Sequence, residues 1–334
     1  MDTASLRKLL AEYNEKRNKA IFDANQRKLD IYKKYPDLEK IDNDISTYSI
    51  KTIQSILTEP NKSKVTDLKK TLNELKAKKT ELLNKHNVSR SDFEPSYECK
   101  KCNDTGFVKK GNDTEFCSCI KQRLYNIQYN ASNIYDLKNQ NFKNFKLNYY
   151  STKVDQEKYD QPLSPRDNMK KIIEICNHFV ENFDDPNENN LLFCGSPGLG
   201  KTFLSSCIAN ELIQKGKTVL YQTASQMLES VINTKFGKYD SDFINTINSV
   251  DLLIIDDLGT ETPNKMKIDE LFTIINQRLL NQDNHITKTI ISSNLLMQNL
   301  YEIYEERICS RLIGNYNICL FYGEDIRIKK KVGE

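Results

Sequence analysis

Long hydrophobic runs are absent from this sequence of 334 residues, and histidine occurs only three times. No stretch of 18 consecutive apolar residues occurs, which argues against a membrane-spanning helix. The first residues, Met1–Lys8, also lack the apolar core of a signal peptide. We therefore expect a cytoplasmic protein without a membrane partner. His178 and His285 have no neighbours spaced as metal ligands or as a catalytic triad, so neither is assigned a role.

Glycine is absent from residues 1–94, where apolar side chains recur at helical spacing. Proline interrupts helices, so we expect breaks near Pro36 and Pro60. The second stretch spaces its apolar residues as a coiled-coil seam does, except at Lys79. We expect a helical hairpin or short coiled coil that either packs on itself or docks onto another protein. The apolar positions are Leu6, Leu10, Tyr13, Ala20, Ala24, Ile31, Val65, Leu68, Leu72, Leu75 and Leu82.

A strong excess of charge of either sign is also missing, since the net charge is +3. Residues 1–95 contain 20 Lys and Arg against 15 Asp and Glu, so the basic excess lies in the front third. A helical surface in contact with water explains this mild asymmetry as well as an anionic partner does.

Four of the nine cysteines lie close together in the sequence, at positions 99, 102, 117 and 119. Cytoplasmic cysteines are usually reduced thiols, and a close cluster of them favours a metal over disulfides. Cys99, Cys102, Cys117 and Cys119 would give Zn²⁺ four thiolates on either side of a hairpin, as a structural site. The C-x-C spacing of the second pair is tight, and His86 is the nearest alternative donor. The other cysteines are predicted to be small core residues: Cys176, Cys194, Cys207, Cys309 and Cys319.

An apolar run enters a glycine-rich turn at residues 191–202, and a helical pattern follows the turn. The turn has the spacing of a Walker A phosphate loop, G-x-x-x-x-G-K-T. Its glycines let main-chain N–H groups face phosphate oxygens, and the helix dipole points at the same oxygens. Lys201 would reach the β- and γ-phosphates of ATP, and the Thr202 hydroxyl would ligate Mg²⁺. The predicted nucleotide-binding loop is Gly195, Ser196, Pro197, Gly198, Leu199, Gly200, Lys201 and Thr202.

Strand and helix patterns alternate after this loop, which predicts an α/β fold with a parallel sheet and crossover helices. A helix from about Asp167 to Asn182 precedes the first strand, and the helix after Thr202 should stop at Gly216. Binding sites in such sheets form at the carboxyl ends of the strands. The predicted strands are Leu191–Cys194, Thr218–Gln222, Val250–Asp256, Thr289–Ser293 and Ile318–Tyr322.

Polar residues follow two of these strands. Asp256 and Asp257 end the third strand as a Walker B pair, with Asp256 expected to hold Mg²⁺ through water. Asp257 would orient or deprotonate the attacking water, or alternatively cap the following helix. Asn294 ends the next strand and is placed to hydrogen-bond the γ-phosphate or that water.

Arg307 and Arg311 lie four residues apart on a predicted helix and therefore share one face. An arginine that reaches the γ-phosphate on a neighbouring subunit would stabilise transition-state charge in trans. The alternative is a surface ion pair with Glu305 or Glu306.

Together these motifs resemble the AAA+ ATPases, and in particular the replicative helicase loaders of the DnaC/DnaI type and their IstB-type transposition relatives. The resemblance extends from Cys99 to the C-terminus. It implies that Asn294 is sensor 1, that Arg311 is the arginine finger with Arg307 as a second candidate, and that Arg327 is sensor 2. Most AAA+ proteins have Glu where this chain has Asp257, so we expect slow, switch-like ATP hydrolysis.

The resemblance also implies a function. We expect an ATP-dependent loader of the hexameric replicative helicase that self-assembles and binds single-stranded DNA through residues 225–248, which include the basic and aromatic run Lys235–Tyr239. The alternatives are an IstB-like transposition or phage ATPase that recruits a recombinase, and a P-loop kinase.

The expected cofactors are ATP, Mg²⁺ and Zn²⁺. The expected domains are a partner-binding helical arm at 1–95, a zinc module at 96–125, a linker at 126–166 and an AAA+ ATPase domain at 167–334.

Overall fold

The computed structural model describes residues 3–58, 62–128, 139–237, 242–262, 264–280 and 286–332. Two units separate within the chain, Asp2–Cys117 and Ser118–Glu334. The domain boundaries expected at residues 95, 125 and 166 remain predictions. The break near Pro60, as well as His285, lies outside the described residues.

The first unit begins with three helices, as the lack of glycine predicts. Pro36 is the first residue of its helix, a position where the fixed φ of proline suits the helix and its missing N–H is not needed. Lys79, which interrupts the predicted seam, pairs with Asp42 of the preceding helix at 2.5 Å (Nζ to Oδ1). The helices are α1 (Thr3–Lys34), α2 (Pro36–Thr58) and α3 (Lys62–Lys85).

A small antiparallel hairpin separates the two cysteine pairs, as predicted. Its strands are β1 (Phe107–Lys110) and β2 (Asp113–Phe116), with Lys110 opposite Asp113 in the register. Gly111 in the connecting turn has φ +62°, which glycine adopts without strain.

The second unit contains one five-stranded parallel sheet in the order β4-β5-β6-β3-β7. All five predicted strands are confirmed, with ends shifted by at most two residues. The strands are β3 (Asn190–Gly195), β4 (Val219–Thr223), β5 (Leu252–Leu258), β6 (Lys288–Ser293) and β7 (Tyr316–Phe321).

Helices cover both faces of this sheet. Alternate residues of a strand point to opposite faces, so Leu253 and Ile255 pack in one core cluster and Leu252 and Ile254 in the other. The helix after the glycine-rich turn ends at Gln214, and Gly216 follows it with φ +81°. The helices are α4 (Ser118–Gln128), α5 (Gln156–Tyr159), α6 (Pro165–Glu181), α7 (Lys201–Gln214), α8 (Ala224–Lys235), α9 (Asp242–Ser249), α10 (Lys265–Leu280), α11 (Met297–Asn315) and α12 (Ile326–Val332).

Strand β4 lies at an edge of the sheet, and a buried amide side chain covers its first residue. Gln122 of α4 accepts a hydrogen bond from the Val219 N–H at 2.6 Å and donates one to the Val219 carbonyl at 2.9 Å. These bonds satisfy main-chain groups that would otherwise invite pairing with another strand. Among the helices of the described part of the chain, none is both long and apolar enough to cross a bilayer.

Candidate functional site

The strand order brings the predicted motifs to one edge of the sheet. Strand β6 lies between β5 and β3, and all three run parallel, so their carboxyl ends meet. Asp256 and Asp257 end β5, Asn294 follows β6, and the glycine-rich turn follows β3. Residues that lie far apart in the sequence are thereby brought into hydrogen-bonding distance.

Two glycines of the turn have no room for a side chain. Gly195 has φ +140°, and a Cβ there would lie 2.0 Å from the main-chain oxygen of Phe321. Gly200 has φ +95°, and a Cβ there would lie 2.7 Å from the Tyr150 hydroxyl. Left-handed backbone at these positions fits a loop whose N–H groups turn inward onto an anion. The turn therefore has the conformation that a triphosphate cradle requires.

The ammonium group of Lys201 connects the turn to strand β6. It is 4% exposed and donates hydrogen bonds to the carbonyls of Gly195 at 2.6 Å and Ser196 at 2.9 Å, and to Asn294 Oδ1 at 2.9 Å. Burial lowers the pKa of Lys201, and the carboxylates of Asp257 and Asp256 oppose this shift. The amine is therefore a desolvated donor that phosphate oxygens could recruit.

Asp256 is buried, and four donors surround its carboxylate. Thr202 Oγ1 donates to Oδ2 at 3.2 Å, and the Tyr221 hydroxyl donates to the same oxygen at 2.7 Å. The Ser292 hydroxyl and the Asp257 N–H both bond to Oδ1, the latter at 3.1 Å. The contact between Asp256 and Thr202 joins the two predicted Mg²⁺ ligands. Tyr221 and Ser292 were missed in the sequence, where a strand tyrosine and a strand serine give no signal.

Asp257 has an unusual backbone, because the pairing of β5 with β6 is irregular between Ile255 and Leu258. Its φ is +55°, a conformation that Asp and Asn adopt more readily than Glu does. This backbone gives a physical reason for Asp at the position where the resemblance to AAA+ ATPases implied Glu. Asp257 does not cap the next helix, since Asn264 Oδ1 accepts the Lys267 N–H at 2.8 Å.

The Asp257 carboxyl lines the site and has a perturbed pKa. Burial raises this pKa above its usual value, and the nearby Asp256 adds to the shift, while Lys201 and Asn294 oppose it. Asn294 Nδ2 donates to Asp257 Oδ1 at 3.3 Å. Asn294 therefore bridges the lysine and the acid, as a residue that senses a terminal phosphate would.

A cavity of about 450 Å³ opens beside these groups, a size that suits a nucleotide. Its walls include aromatic residues of the segment before α6, which the sequence predicted to be part of a linker. Tyr150 is 3% exposed and donates its hydroxyl to the Leu199 carbonyl at 2.8 Å. The lining comprises Gln140, Asn144, Phe145, Lys146, Tyr149, Tyr150, Pro197, Gly198, Leu199, Gly200, Lys201, Thr202, Phe203, Asp257, Asn294, Ile326 and Arg327.

Arg327 reaches this cavity because the C-terminal segment contacts the glycine-rich turn. The Ile326 N–H donates to the Gly198 carbonyl at 3.0 Å, and the Arg327 N–H donates to Asp325 Oδ1 at 2.7 Å. Gly198 has φ +76°, and a Cβ there would lie 2.0 Å from the Asp325 side chain, so this third glycine of the turn is also favoured. The residue predicted to be sensor 2 is therefore beside the cradle.

Arg307 and Arg311, the two candidates for the arginine finger, do not line this cavity. Helix α11 is kinked at Glu305, whose φ is +64°, and both arginines follow the kink. Arg307 pairs with Asp269 and, at 2.9 Å (Nε to Oε2), with Glu305, and its guanidinium lies 4.7 Å from the ring centre of Phe272. The expected surface ion pair thus exists at Arg307, whereas the Arg311 side chain is exposed.

The four clustered cysteines form a second candidate site. Their sulfur atoms all lie within 4.8 Å of one another, and those of Cys99 and Cys117 are 3.9 Å apart. Tetrahedral zinc with bonds of about 2.3 Å places sulfurs about 3.8 Å apart, so the cluster fits this ion. His86, the alternative donor, instead lies 2.8 Å from Asp37 (Nε2 to Oδ2).

A buried carboxylate that the sequence did not single out shapes the first cysteine pair. Asp104 Oδ1 accepts the Cys99 N–H at 2.8 Å, and its Oδ2 accepts the Glu98 N–H at 2.9 Å. Asn103 and Asp104 both have positive φ, so this knuckle has a tight left-handed turn.

The parallel sheet and the glycine-rich turn that follows its first strand define a P-loop nucleotide-binding domain. A family model described as IstB-like ATP binding protein matches residues 138–332, more than half of the chain. The chain therefore belongs to the IstB-like ATP-binding protein family.

Several named proteins are similar to parts of the chain. The replicative helicase loader DnaC of Escherichia coli (strain K12) is 31% identical over 158 residues, which are 46% of this chain and 62% of that protein. DnaC of Buchnera aphidicola (subsp. Acyrthosiphon pisum) is 29% identical over 47% of this chain and 63% of its own length. An insertion-sequence ATP-binding protein of Sinorhizobium fredii is 28% identical over 42% of this chain and 57% of its own.

Solved structures also resemble the chain. A crystal structure of the DnaC helicase loader has a TM-score of 0.44 and 21% identity, and the match covers 56% of this chain and 99% of that one. A crystal structure of DnaI has a TM-score of 0.42 and 25% identity, with 47% and 86% covered. At these TM-scores the likeness supports no functional conclusion.

Replacing Asp257 by Asn is expected to stabilise the protein at neutral pH in the absence of nucleotide and Mg²⁺. The raised pKa means that the folded protein disfavours the charged form of the Asp257 carboxyl. The contribution of Asp257 to stability is therefore present at low pH and is lost as the pH rises through the folded-state pKa. Asn also accepts the left-handed backbone. Thermal unfolding with a chelator should show a higher Tm for Asp257→Asn at pH 7.5 and a smaller gain near pH 4.

Asp167→Asn is a control for which the opposite change in stability is expected. Hydrogen bonds from Lys170 and Ser164 lower the pKa of Asp167, so its removal should reduce stability at neutral pH. An Asp257→Asn protein that melts at or below the wild-type temperature at pH 7.5 would contradict the assigned shift.

Proposed function

We propose that the protein is an ATP-dependent loader of a replicative DNA helicase. The observation that carries the proposal is the cavity lined by the glycine-rich turn, Asp257 and Asn294 in a chain similar to DnaC. The matched region is 62% of the DnaC protein's own length, so the function of the whole protein is the object of the proposal.

ATP hydrolysis is proposed to proceed in this cavity. Lys201 would exchange its bonds to the Gly195 and Ser196 carbonyls for bonds to the β- and γ-phosphates, and Thr202 and, through water, Asp256 would hold Mg²⁺. The bound ion supplies positive charge that offsets the negative charge of the phosphates. Asp257 orients the attacking water, and Asn294 senses the γ-phosphate. Because the Asp257 side chain is short, turnover is slow and the nucleotide acts mainly as a switch.

We further propose that Arg311 serves as the arginine finger of a neighbouring subunit in an ATP-dependent assembly. Its side chain is exposed and does not line the cavity of its own subunit. Arg307 is the weaker candidate, since leaving Asp269 and Glu305 would cost it two ion pairs. Arg327, beside the cradle, is proposed to contact nucleotide in its own subunit.

Mixing variants tests the trans role of Arg311. Arg311→Ala protein lacks the finger but keeps an intact cavity, whereas Asp257→Asn protein lacks the catalytic acid but keeps the finger. Each variant alone should therefore be nearly inactive. In the mixture, Arg311 of one subunit can reach the intact cavity of another, so ATPase activity should return. Steady-state phosphate release in the presence of single-stranded DNA measures this. Arg90→Ala, which changes an exposed arginine of the first unit, should behave as wild type. A mixture as inactive as its components would contradict the finger assignment.

Zinc at the four cysteines is proposed to be structural, since four protein ligands leave no open position for a substrate. Metal analysis of the purified protein should give close to one zinc per chain. Cys99→Ser should release zinc and destabilise the first unit while ATP binding is retained. A zinc-free protein with unchanged stability would contradict this role.

The helical arm is proposed to bind the helicase. On α2, Ile50, Ile53 and Leu57 recur at the spacing of one helix face and are 56%, 58% and 78% exposed. A row of this kind fits an apolar groove or a helix of a partner. The domain boundaries at 95, 125 and 166 belong to this proposal.

Single-stranded DNA is proposed to bind residues 225–248, which include most of α8 and α9. Phe236 is 66% exposed and could stack on a base. The Lys235 ammonium lies 2.6 Å from Glu270 Oε1 (salt bridge), and Lys238 and Tyr239 lie outside the described residues.

Capture of the helicase tests the loader function. The tagged full-length protein should retain the replicative helicase of its own cell in an ATP-sensitive complex. Ile53→Glu should lose it, because the charge disrupts the apolar row, whereas Lys51→Glu on the same helix should keep it. No complex with or without ATP would contradict loading. Retention of a recombinase instead would favour the IstB-like transposition ATPase, the alternative that the family match supports.

A further inference from the structure

The Asp256 carboxylate is held from two sides. Thr202 approaches Oδ2 from the cavity, since Thr202 lines it, while Tyr221 approaches the same oxygen from within the sheet. Tyr221 is 2% exposed and Asp256 is 4% exposed. An ionised carboxylate accepts about four hydrogen bonds, and the contacts of Asp256 to Thr202, Tyr221, Ser292 and the Asp257 N–H already number four.

This arrangement assigns different tasks to the two hydroxyl groups on Oδ2. The Thr202 side faces the cavity, where a metal and its waters would enter. The Tyr221 side faces packed protein, since Tyr221 is 2% exposed and its hydroxyl also bonds to the buried Ser206 side chain. The phenol oxygen is fixed on a strand, and its ring is buried in the core cluster beneath the sheet. Its hydrogen bond therefore fixes the rotation of the carboxylate instead of competing for the metal.

We infer that Tyr221 is a positioning residue for Mg²⁺: its hydroxyl orients Asp256, and through Asp256 the Thr202 hydroxyl, for the ion that accompanies ATP. The inference rests on the proposed ATP site. It predicts a change in how strongly nucleotide affinity depends on Mg²⁺. It predicts no change in the affinity for nucleotide without the metal. Without the phenol, the buried Asp256 side chain has one hydrogen bond fewer and rotates more freely.

Tyr221→Phe tests this assignment, since it removes one oxygen and leaves the ring. Binding of a fluorescent ATP analogue to the full-length protein is measured across a Mg²⁺ titration and also in a chelator. In the variant, the Mg²⁺ concentration that gives half of the metal-dependent gain in affinity should rise about tenfold, the worth of one hydrogen bond to a charged group. Affinity in the chelator should stay within about twofold of wild type.

Tyr316→Phe is the matched control. Tyr316 is also buried, at 4% exposed, and its hydroxyl bonds to Thr289 near the opposite end of the strands. The control should lose stability comparably in thermal unfolding but keep the wild-type Mg²⁺ dependence. A purely structural role for Tyr221 would make the two variants alike.

The outcomes separate this inference from the proposed function. Wild-type protein that binds no ATP analogue would overturn the ATP site itself. Wild-type protein that binds with Mg²⁺ dependence, together with a Tyr221→Phe protein of identical Mg²⁺ dependence, would overturn only the role of Tyr221. A Tyr221→Phe protein that needs less Mg²⁺ would also overturn it, because the phenol would then be a competitor of the ion.

Discussion

The buried ammonium group of Lys201 is the interaction on which the site depends. It bonds to two carbonyls of the turn after β3 and to Asn294 after β6, so one cation links two strand ends. Removing a charge from water is costly unless donors and counter-charges compensate, and here the carboxylates of Asp256 and Asp257 oppose the shift that burial imposes on the lysine pKa. A triphosphate offers this cation a stronger partner than the carbonyls do.

Two backbone irregularities lie beside residues that are proposed to act on the nucleotide. The irregular pairing of β5 and β6 lies at the two acids, and Asp257 has a left-handed backbone. The kink at Glu305, also left-handed, changes the direction of α11 before the two arginines. Such conformations cost energy and persist because the surrounding structure holds them. In this chain they set the directions of the Asp257 side chain at the cavity and of the part of α11 that carries the two arginines.

The sheet and its phosphate loop were accessible from sequence because their signals are local. Apolar runs that end in polar residues indicated the five strands. The spacing of the loop predicted that Lys201 contacts phosphate and that Thr202 ligates Mg²⁺. Tyr221 and Ser292 were not accessible, since each acts across strands whose order the sequence leaves open. The aromatic residues around Tyr150 were predicted only as part of a linker, because their position beside the glycine-rich turn depends on the packing of a segment that has only short helical turns. The ion pair of Arg307 with Asp269 likewise joins two helices that only the tertiary fold brings together.

Calorimetric titration of the full-length protein with ATP in excess Mg²⁺ tests the central claim most directly. The account predicts one ATP bound per chain, competition by ADP, and no detectable binding to Lys201→Ala protein that keeps the wild-type Tm. Wild-type protein that binds no ATP, or Lys201→Ala protein that binds it as tightly, would contradict the account.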